Sequence, residues 1–345
     1  MRKTRICILA LAIVAASAAF GQNALRGDFG ASPTTMGTIG ESFNLHYRPI
    51  RFLDLGLSGE HRKEFEEKLA YQREGVPLRG NIARDTYAGR ASLGPRFGLG
   101  SLELSPFAAI DVSRTAAYSM ARLAEPDFPD GCSGFVDFDE TRLDWGAMGG
   151  LDLGLEAGTL SLEARAAYGP AQASSLSGSL LQTYYSYLGA DLYPTYLWKK
   201  VAYDHDTTGY LIEGFLSAGV RLPRAGLELR GFGRLAKGRF KADGVNLVTL
   251  WTPHRQSVGA ATDLINPGST SNPVRIDSDR TSLEAGASVG LLFLRKALSL
   301  RGTPSVDVSY VRIADQTTTI YTDSMDVQKW VEDFDYVKFA VKFGL

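Results

Sequence analysis

The sequence predicts an all-β fold, a transmembrane antiparallel up-and-down β-barrel of about twelve strands, with about ten or fourteen as alternatives. Three features of the 345-residue chain predict it. The N-terminus has the form of an export signal, apolar and polar residues alternate along most of the remainder, and tight turns alternate with long polar segments. An exported chain with many amphipathic segments and no later apolar stretch of helical spanning length favours a barrel.

The N-terminus has the order of residues found in a secretory signal peptide. Three basic residues among the first five precede an apolar run, and small residues follow it. The run is shorter than the roughly 18 to 20 residues that a membrane-spanning helix needs. We expect cleavage after Gly21, with Ala18 as the alternative site, so that 1–21 is the signal peptide and 22–345 is a single barrel domain.

The stretch from Leu143 to Pro170 shows the pattern that predicts strands. Odd positions as far as Ala157 are apolar or glycine, even positions carry the acidic residues, and the pattern resumes at Leu160 after a turn. A period of two indicates strands. It recurs in about eleven segments after Met36, and a further segment before it supplies the even number that a single-chain barrel requires. The segments are near the 9–11 residues of a tilted membrane strand, whereas soluble sandwiches use about 5–6.

The connections between these segments have two sizes. Tight turns are predicted near residues 48–49, 98–101, 157–159, 223–226 and 295–296, and long polar loops over roughly 62–85, 115–141, 171–208, 239–280 and 313–333. The two sizes alternate along the chain, so all tight turns lie at one end of the strands. Short periplasmic turns and long extracellular loops are typical of outer-membrane barrels.

Aromatic residues on the apolar parity form two predicted belts. The membrane-interface candidates are Tyr87, Trp145, Tyr168, Tyr210 and Tyr310 at the long-loop end, and Tyr47, Phe97, Phe293 and Phe343 at the short-turn end. The belts are about 25 Å apart, the height of the apolar band of a barrel. Glu41 shares the parity of this face, so it lies above the band, follows a bulge, or indicates another register.

The chain ends in FDYVKFAVKFGL, which alternates to its last residue. This segment resembles the terminal strand of the Gram-negative-type outer-membrane β-barrel superfamily, and the resemblance extends over the mature chain as an architecture. It departs from the pattern at Leu345, where Phe or Trp is usual, with Phe343 two positions earlier. The resemblance implies localisation in the outer membrane, contact with its lipid, and recognition of the last strand by the barrel-assembly machinery.

The polar parity faces the interior and carries both signs of charge. The candidate lumen-lining residues are Arg90, Arg96, Glu103, Asp111, Asp144, Asp152, Glu163, Arg165, Glu228, Arg230, Arg234, Arg301 and Asp307. Enclosed charges must be either hydrated or paired, so the interior is a water-filled lumen or a network of ion pairs. About twelve strands give a backbone diameter of roughly 24 Å, hence a narrow lumen. Phe107, Phe215 and Phe232 are candidates for its constriction.

These features predict a narrow porin-like channel or transporter for small solutes, with small and nearly non-selective conductance. The alternative is a surface adhesin or ligand-binding barrel that binds its ligand through aromatic residues of a long loop: Tyr184, Tyr185, Tyr187, Tyr196 and Trp198. Those residues could instead belong to strands that continue above the membrane. The near-balance of 37 basic against 38 acidic residues gives no reason to expect nucleic acid as a partner.

A third hypothesis is a hydrolase at the barrel rim. The run Asp204-His205-Asp206 is similar to the acidic and histidine residues at the mouth of omptin-type surface proteases, although a second acidic pair is not identifiable. The alternative for this run is a solvated turn. We therefore expect no enzyme, no catalytic residue, no cofactor and no metal site. With Cys7 inside the signal, Cys132 is expected to be an unpaired thiol in an exposed loop.

Overall fold

The structure is a computed structural model that describes residues 25–33, 39–50, 52–73, 76–119, 123–124, 132–186, 195–251, 268–297, 303–322 and 327–344. Several sequence predictions concern residues outside these ranges. They are the signal peptide, the lumen candidate Arg301, the loop candidate Tyr187 and the terminal Leu345.

The described chain is almost entirely strand. Its elements are β1 (Leu25–Pro33), β2 (Ile39–Ile50), β3 (Leu53–Arg73), β4 (Val76–Pro95), β5 (Phe97–Leu99), β6 (Leu102–Ser119), β7 (Leu123–Ala124), β8 (Cys132–Ala157), β9 (Leu160–Ser186), β10 (Thr195–Leu222), β11 (Leu227–Trp251), β12 (Gly268–Leu291), α1 (Leu292–Ala297), β13 (Ser305–Tyr321) and β14 (Val327–Gly344).

These strands form one closed antiparallel ring. Short β5 follows β4 after Arg96, and the two-residue β7 pairs with β4 and β8. The other twelve strands pair in the order β1, β2, β3, β4, β6 and β8 to β14. β1 pairs in turn with β14, where Phe29 is the partner of Phe343. The predicted up-and-down barrel of about twelve strands is therefore confirmed for the part of the chain that is described.

Three of the tight turns form where the sequence predicts them, and two do not. Gly100, Gly158 and Gly226 adopt φ values of 67°, 62° and 68°, which suit glycine. The turn predicted at 48–49 is not found there, since β2 continues to Ile50 through a register shift after Tyr47, and Ile50 pairs with Leu53 of β3. Pro49 marks this irregularity in the ladder, because proline lacks the N–H that regular pairing uses.

The predicted hairpin at Arg295–Lys296 is wrong. Both residues lie in the six-residue helix α1, and β13 begins only at Ser305. The segment LFLRKA lacks Gly and Pro and is rich in residues with good helix propensity, so a helical turn forms instead of a tight hairpin. Among the described residues, no helix has the length and apolar character needed to cross a membrane.

The predicted long loops are mainly paired strand. The β3–β4 ladder reaches Arg73 opposite Val76, and the β9–β10 ladder reaches Ser186 opposite Thr195. Their boundaries were predicted too early because apolar alternation ends where both faces of a strand meet water. The backbone hydrogen bonds that define the ladder continue beyond that point. Thus the barrel keeps short turns at one end and long, paired hairpins at the other.

Large apolar side chains cover the outside of the ring. Leu57, Leu93, Ile110 and Leu216 are all exposed. A contiguous apolar surface of this kind is unusual on a soluble monomer but suits the lipid-facing wall of a barrel. Of the interface candidates, the exposed side chains are Tyr87, Phe97, Trp145, Tyr168, Phe293, Tyr310 and Phe343, and Tyr47 and Tyr210 are partly exposed.

Glu41 lies at the level of the upper aromatic belt. It pairs with His61 across the β2–β3 ladder, and His61 pairs with Tyr87 across the β3–β4 ladder. The ladder has no register shift between Glu41 and Tyr47, which excludes a bulge in that stretch. The His61 and Tyr87 rings stack with centroids 4.4 Å apart. Of the three explanations for Glu41, a position at the edge of the apolar band fits.

Candidate functional site in the barrel lumen

Contacts between strands that are not neighbours identify the inner face. Arg90 of β4 donates to both carboxylate oxygens of Glu213 of β10, each 2.8 Å from its Nη2. Arg280 of β12 donates from Nη1 to Asp144 Oδ1 of β8 at 2.7 Å. In a closed ring such side chains can meet only through the interior. These contacts place the four side chains on the inner face, and the lumen-lining role of the candidates stays a prediction.

Arg90 is the centre of the first cross-lumen cluster. Besides Glu213, it donates from Nε to Asp111 Oδ1 at 2.5 Å and from Nη2 to Asp111 Oδ2 at 3.2 Å. Met148 Sδ lies 3.3 Å from the same Nη2. Met148 packs in turn with Ala109 and Ala167. One guanidinium thus bridges the two sides of the lumen with its hydrogen-bonding fork in use.

A second cluster lies nearer the long-hairpin end. Arg280 contacts Asp144, donates to Ser174 Oγ at 3.2 Å, and lies 4.2 Å from the centroid of the Phe240 ring. Arg142 donates to Asp315 Oδ2 at 3.2 Å, and its Nε lies 3.2 Å from Asp144 Oδ2. Sequence reasoning missed Arg280 and Asp315, since both fell in segments predicted as loops. Arg280 shares the parity of the inward Glu284 on β12, so extending the predicted strand toward Ser278 would have placed Arg280 on the inner face.

The lumen candidates nearer the short turns pair mostly with neighbouring strands. Arg165 binds both carboxylate oxygens of Asp152 at 2.5 and 2.8 Å, and Arg96 binds Glu103. Arg230 contacts both Glu163 and Glu228 at 3.1 Å, and Lys342 Nζ lies 2.7 Å from Asp307. Opposite charges therefore compensate each other locally along the wall. The role of these residues in conduction remains a prediction.

Two of the three constriction candidates lie against the wall. The Phe107 ring covers Gly150, where a Cβ atom would stand 2.6 Å from Phe107 Cζ. The Phe232 ring covers Gly286, where a Cβ atom would stand 2.8 Å from Phe232 Cζ. Glycine thus allows each ring to approach the backbone of the next strand. The described contacts that cross the lumen include those of Arg90 with Glu213 and of Arg280 with Asp144 and Ser174, so constriction by Phe107, Phe215 and Phe232 remains a prediction.

Arg234 has no such partner. Its side chain is exposed, and it forms no hydrogen bond or ion pair with any described residue. Its register partners are Phe215 on β10 and Glu284 on β12. Glu284 instead accepts a hydrogen bond from Ser309 at 2.8 Å. An exposed charged side chain on the inner face indicates open, hydrated space beside it.

The Asp204-His205-Asp206 run lies within β10, so its prediction as a solvated turn is wrong. Asp204 and Asp206 are exposed on the outer face, and His205 is buried on the inner face. His205 Nε2 lies 2.7 Å from Asn246 Oδ1, and Asn246 Nδ2 donates to the Tyr321 hydroxyl at 3.2 Å. The Asp–His pair on which the hydrolase hypothesis depends is therefore not formed.

His205 lies five residues above Tyr210, outside the membrane-spanning part of β10. Burial lowers the pKa of His205 below its ordinary value, against the opposing effects of the Asn246 hydrogen bond and of Asp204. The neutral ring donates from Nε2, and Nδ1 is buried without a hydrogen-bond partner. The described residues contain no group of three or more His, Cys, Asp or Glu that could hold a metal ion.

Comparison with known proteins finds no matching family model and no matching curated protein. Among solved structures, the chain is similar to the P. putida toluene transporter TodX, with 9% identity, a TM-score of 0.42, and coverage of 94% of this chain and 90% of that one. The CymD monoaromatic hydrocarbon channel has 11% identity and a TM-score of 0.38, with coverage of 93% of this chain and 88% of that one. The Escherichia coli outer membrane protease OmpT has 11% identity and a TM-score of 0.32, with coverage of 94% of this chain and 97% of that one.

With so little sequence in common, these similarities concern overall architecture alone. The closed ring of strands and its apolar outer wall carry the evidence for the fold.

Proposed function

We propose that the protein is an outer-membrane channel or transporter for small solutes, closed at rest by ion pairs that cross its lumen. The observation that carries the proposal is the pairing of Arg90 with Glu213 and of Arg280 with Asp144 across the ring. The predicted signal peptide and the apolar outer wall support the location. The inner face, with many charged side chains, supports a path for polar solutes.

The two clusters divide the lumen along its axis. Arg280 and Asp144 lie near the upper aromatic belt, next to Trp145, and Arg90 and Glu213 lie slightly below it. Nearer the short turns, Arg234 and Glu163 are exposed on the inner face. The lumen is thus hydrated below two charged crossings, which is the arrangement expected of a closed gate near the outer mouth.

Ion pairs suit a closure that has to open. Arg90 and Glu213 keep 21% and 20% of their side-chain surface accessible, so water already reaches both partners. Separating the pair costs about 1.5–3 kcal/mol and lets water replace the lost hydrogen bonds, whereas opening a packed apolar plug would expose apolar surface to water. A permanently closed barrel would be at least as stable with apolar side chains in their place.

The first prediction tests this gate. Glu213→Gln removes the charge of one partner but leaves the bidentate contact between Arg90 and Asp111. A hydrogen bond to a charged group contributes about 1.5–3 kcal/mol, so the open fraction should rise about tenfold or more. The measurement is single-channel current in planar bilayers. Asp333→Asn is the control, since Asp333 pairs with Arg312 on the exposed outer face.

A correctly folded protein that passes no current and no solute, both as wild type and as Glu213→Gln, would contradict the channel. That result would favour the alternative of a surface adhesin or ligand-binding barrel, which a second observation supports. β9 and β10 stay paired as far as Ser186 and Thr195, about 40 Å above Tyr210. The loop candidates Tyr184, Tyr185, Tyr196 and Trp198 lie on these two strands, which continue above the membrane.

A further inference from the structure

Arg234 differs from the other described arginines that were predicted to line the lumen. Arg90, Arg96, Arg165 and Arg230 each contact a carboxylate. Arg234 is exposed on the inner face and contacts none among the described residues. Its guanidinium therefore keeps its hydrogen-bond donors available to a solute.

The cations that act on Glu60 differ in whether a carboxylate contacts them. Arg234, Lys338, Lys342 and Arg62 all act electrostatically on Glu60, which lies on β3, diametrically opposite β11 in the ring. Lys342 is bound to Asp307, and Lys338 is shared between Glu60 and Glu284 at 3.9 and 3.8 Å. Lys338 and Lys342 thus have carboxylate partners, whereas no described carboxylate contacts Arg234.

An aromatic wall adjoins the free guanidinium. Phe215 is the direct register partner of Arg234 on β10 and shares its inward parity. Phe232, two residues before Arg234 on β11, lies against Gly286. Arginine forks bind carboxylate and sulfonate oxygens in pairs, and phenylalanine faces accept an apolar or aromatic body.

We propose that Arg234, Phe215 and Phe232 form a binding point in the lumen for small monoanions with an aromatic or apolar body, such as aromatic carboxylates and sulfonates. The proposal deepens the channel function, on which it rests for its physiological meaning. It also replaces the expectation of nearly non-selective conductance, since the paired charges cancel one another and Arg234 does not.

Binding is tested with benzenesulfonate, which stays ionised and does not cross lipid as a neutral acid. Equilibrium dialysis against the detergent-solubilised barrel should show saturable binding to the wild type. Because a charged hydrogen bond contributes about 1.5–3 kcal/mol, Arg234→Gln should weaken it about tenfold or more. Lys237→Gln is the matched control, since Lys237 is an exposed cation of the same strand on the outer face. Methanesulfonate should bind the wild type more weakly, because it lacks the aromatic body.

Bilayer currents separate failure of the site from failure of the channel. Binding that depends on Arg234 in a barrel without current would contradict the channel and leave the anion site standing. A conducting barrel whose benzenesulfonate affinity is the same in the wild type, Arg234→Gln and Lys237→Gln would overturn the site. Equal affinity for the two sulfonates would overturn the aromatic part of the proposal.

Discussion

Single side chains inside this barrel are held by polar partners more than by apolar packing. His205 is the clearest case above the membrane, where it joins Asn246 and Tyr321 in a buried chain of hydrogen bonds. Tyr203 lies parallel to it with centroids 6.0 Å apart. This chain links β10, β11 and β13 through the interior, so the protonation state of one ring affects how three strands are held.

Acidification should destabilise this part of the barrel. Burial lowers the pKa of His205, so the folded protein binds a proton less readily than the unfolded chain. Stability is therefore unaffected well above pH about 6.5 and is lost as the pH falls below it. Protonation would also bury an N–H at Nδ1 that lacks an acceptor. The loss is measured as the midpoint temperature of thermal unfolding in detergent, at about six pH values between pH 8 and pH 5.

His205→Gln is the control, since glutamine can still bond to Asn246 but does not titrate. The other three histidines are common to both proteins. The wild type should lose more thermal stability than His205→Gln on acidification. Parallel curves for the two would contradict a buried, neutral His205.

At the same scale, the sequence predicts the face of a residue but not its partner. A period of two assigns Arg90 and Asp111 to the lumen, and they are indeed cross-strand neighbours. The contact of Arg90 with Glu213 joins residues 123 positions apart. It depends on the summed register of every ladder between them, which local alternation does not encode.

Individual strands present two faces to two media. On β8, Leu153 is exposed on the outer wall, and the adjacent Gly154 faces the lumen near Glu103. Leu153→Arg should destabilise the barrel by about 1–2 kcal/mol, because it places a charge in lipid between the midplane and the lower aromatic belt. Gly154→Arg puts the same side chain into a hydrated lumen that holds a carboxylate and should cost less.

Heat-resistant migration in detergent gels and denaturant midpoints compare the two variants. The matched pair separates the effect of the medium from the effect of arginine itself. Equal loss of stability in both would remove the basis for assigning the outer face. Asp152→Asn is a poorer control, since Asp152 is bound to Arg165 through both oxygens.

The elements differ in how far the sequence predicts them. Strands in the apolar band follow from alternation, and turns at Gly158 and Gly226 follow from residues that tolerate positive φ. The upper parts of β9 and β10 cannot be predicted in this way. Water contacts both of their faces, so apolar and polar residues no longer alternate, although the backbone pairing continues. The sequence does not predict α1, because six residues are too few to show a helical period, although their helix propensity is good.

The described strands of the whole molecule form a closed ring, because β1 pairs with β14 over Asp28–Ala31. Closure was predictable from the even strand number and the amphipathic last strand. The state of the lumen was not, since a hydrated channel and an ion-pair network use the same charged residues. The register of the ring brings Arg90 and Arg280 to partners across the lumen, whereas Arg234 has no hydrogen-bond or ion-pair partner among the described residues.

Orientation in the membrane is the remaining property of the whole molecule, and the native Cys132 tests it. Cys132 begins β8, thirteen residues before Trp145, about 30 Å beyond the upper belt. Since long hairpins of outer-membrane barrels face outwards, an impermeant maleimide should label it on intact cells. Arg224→Cys in a Cys132→Ser background is the control for the opposite end, because Arg224 lies exposed in a short turn. It should react only after the outer membrane is broken. The reverse labelling pattern would show that the short turns, and with them the open end of the lumen beside Arg234, face the outside.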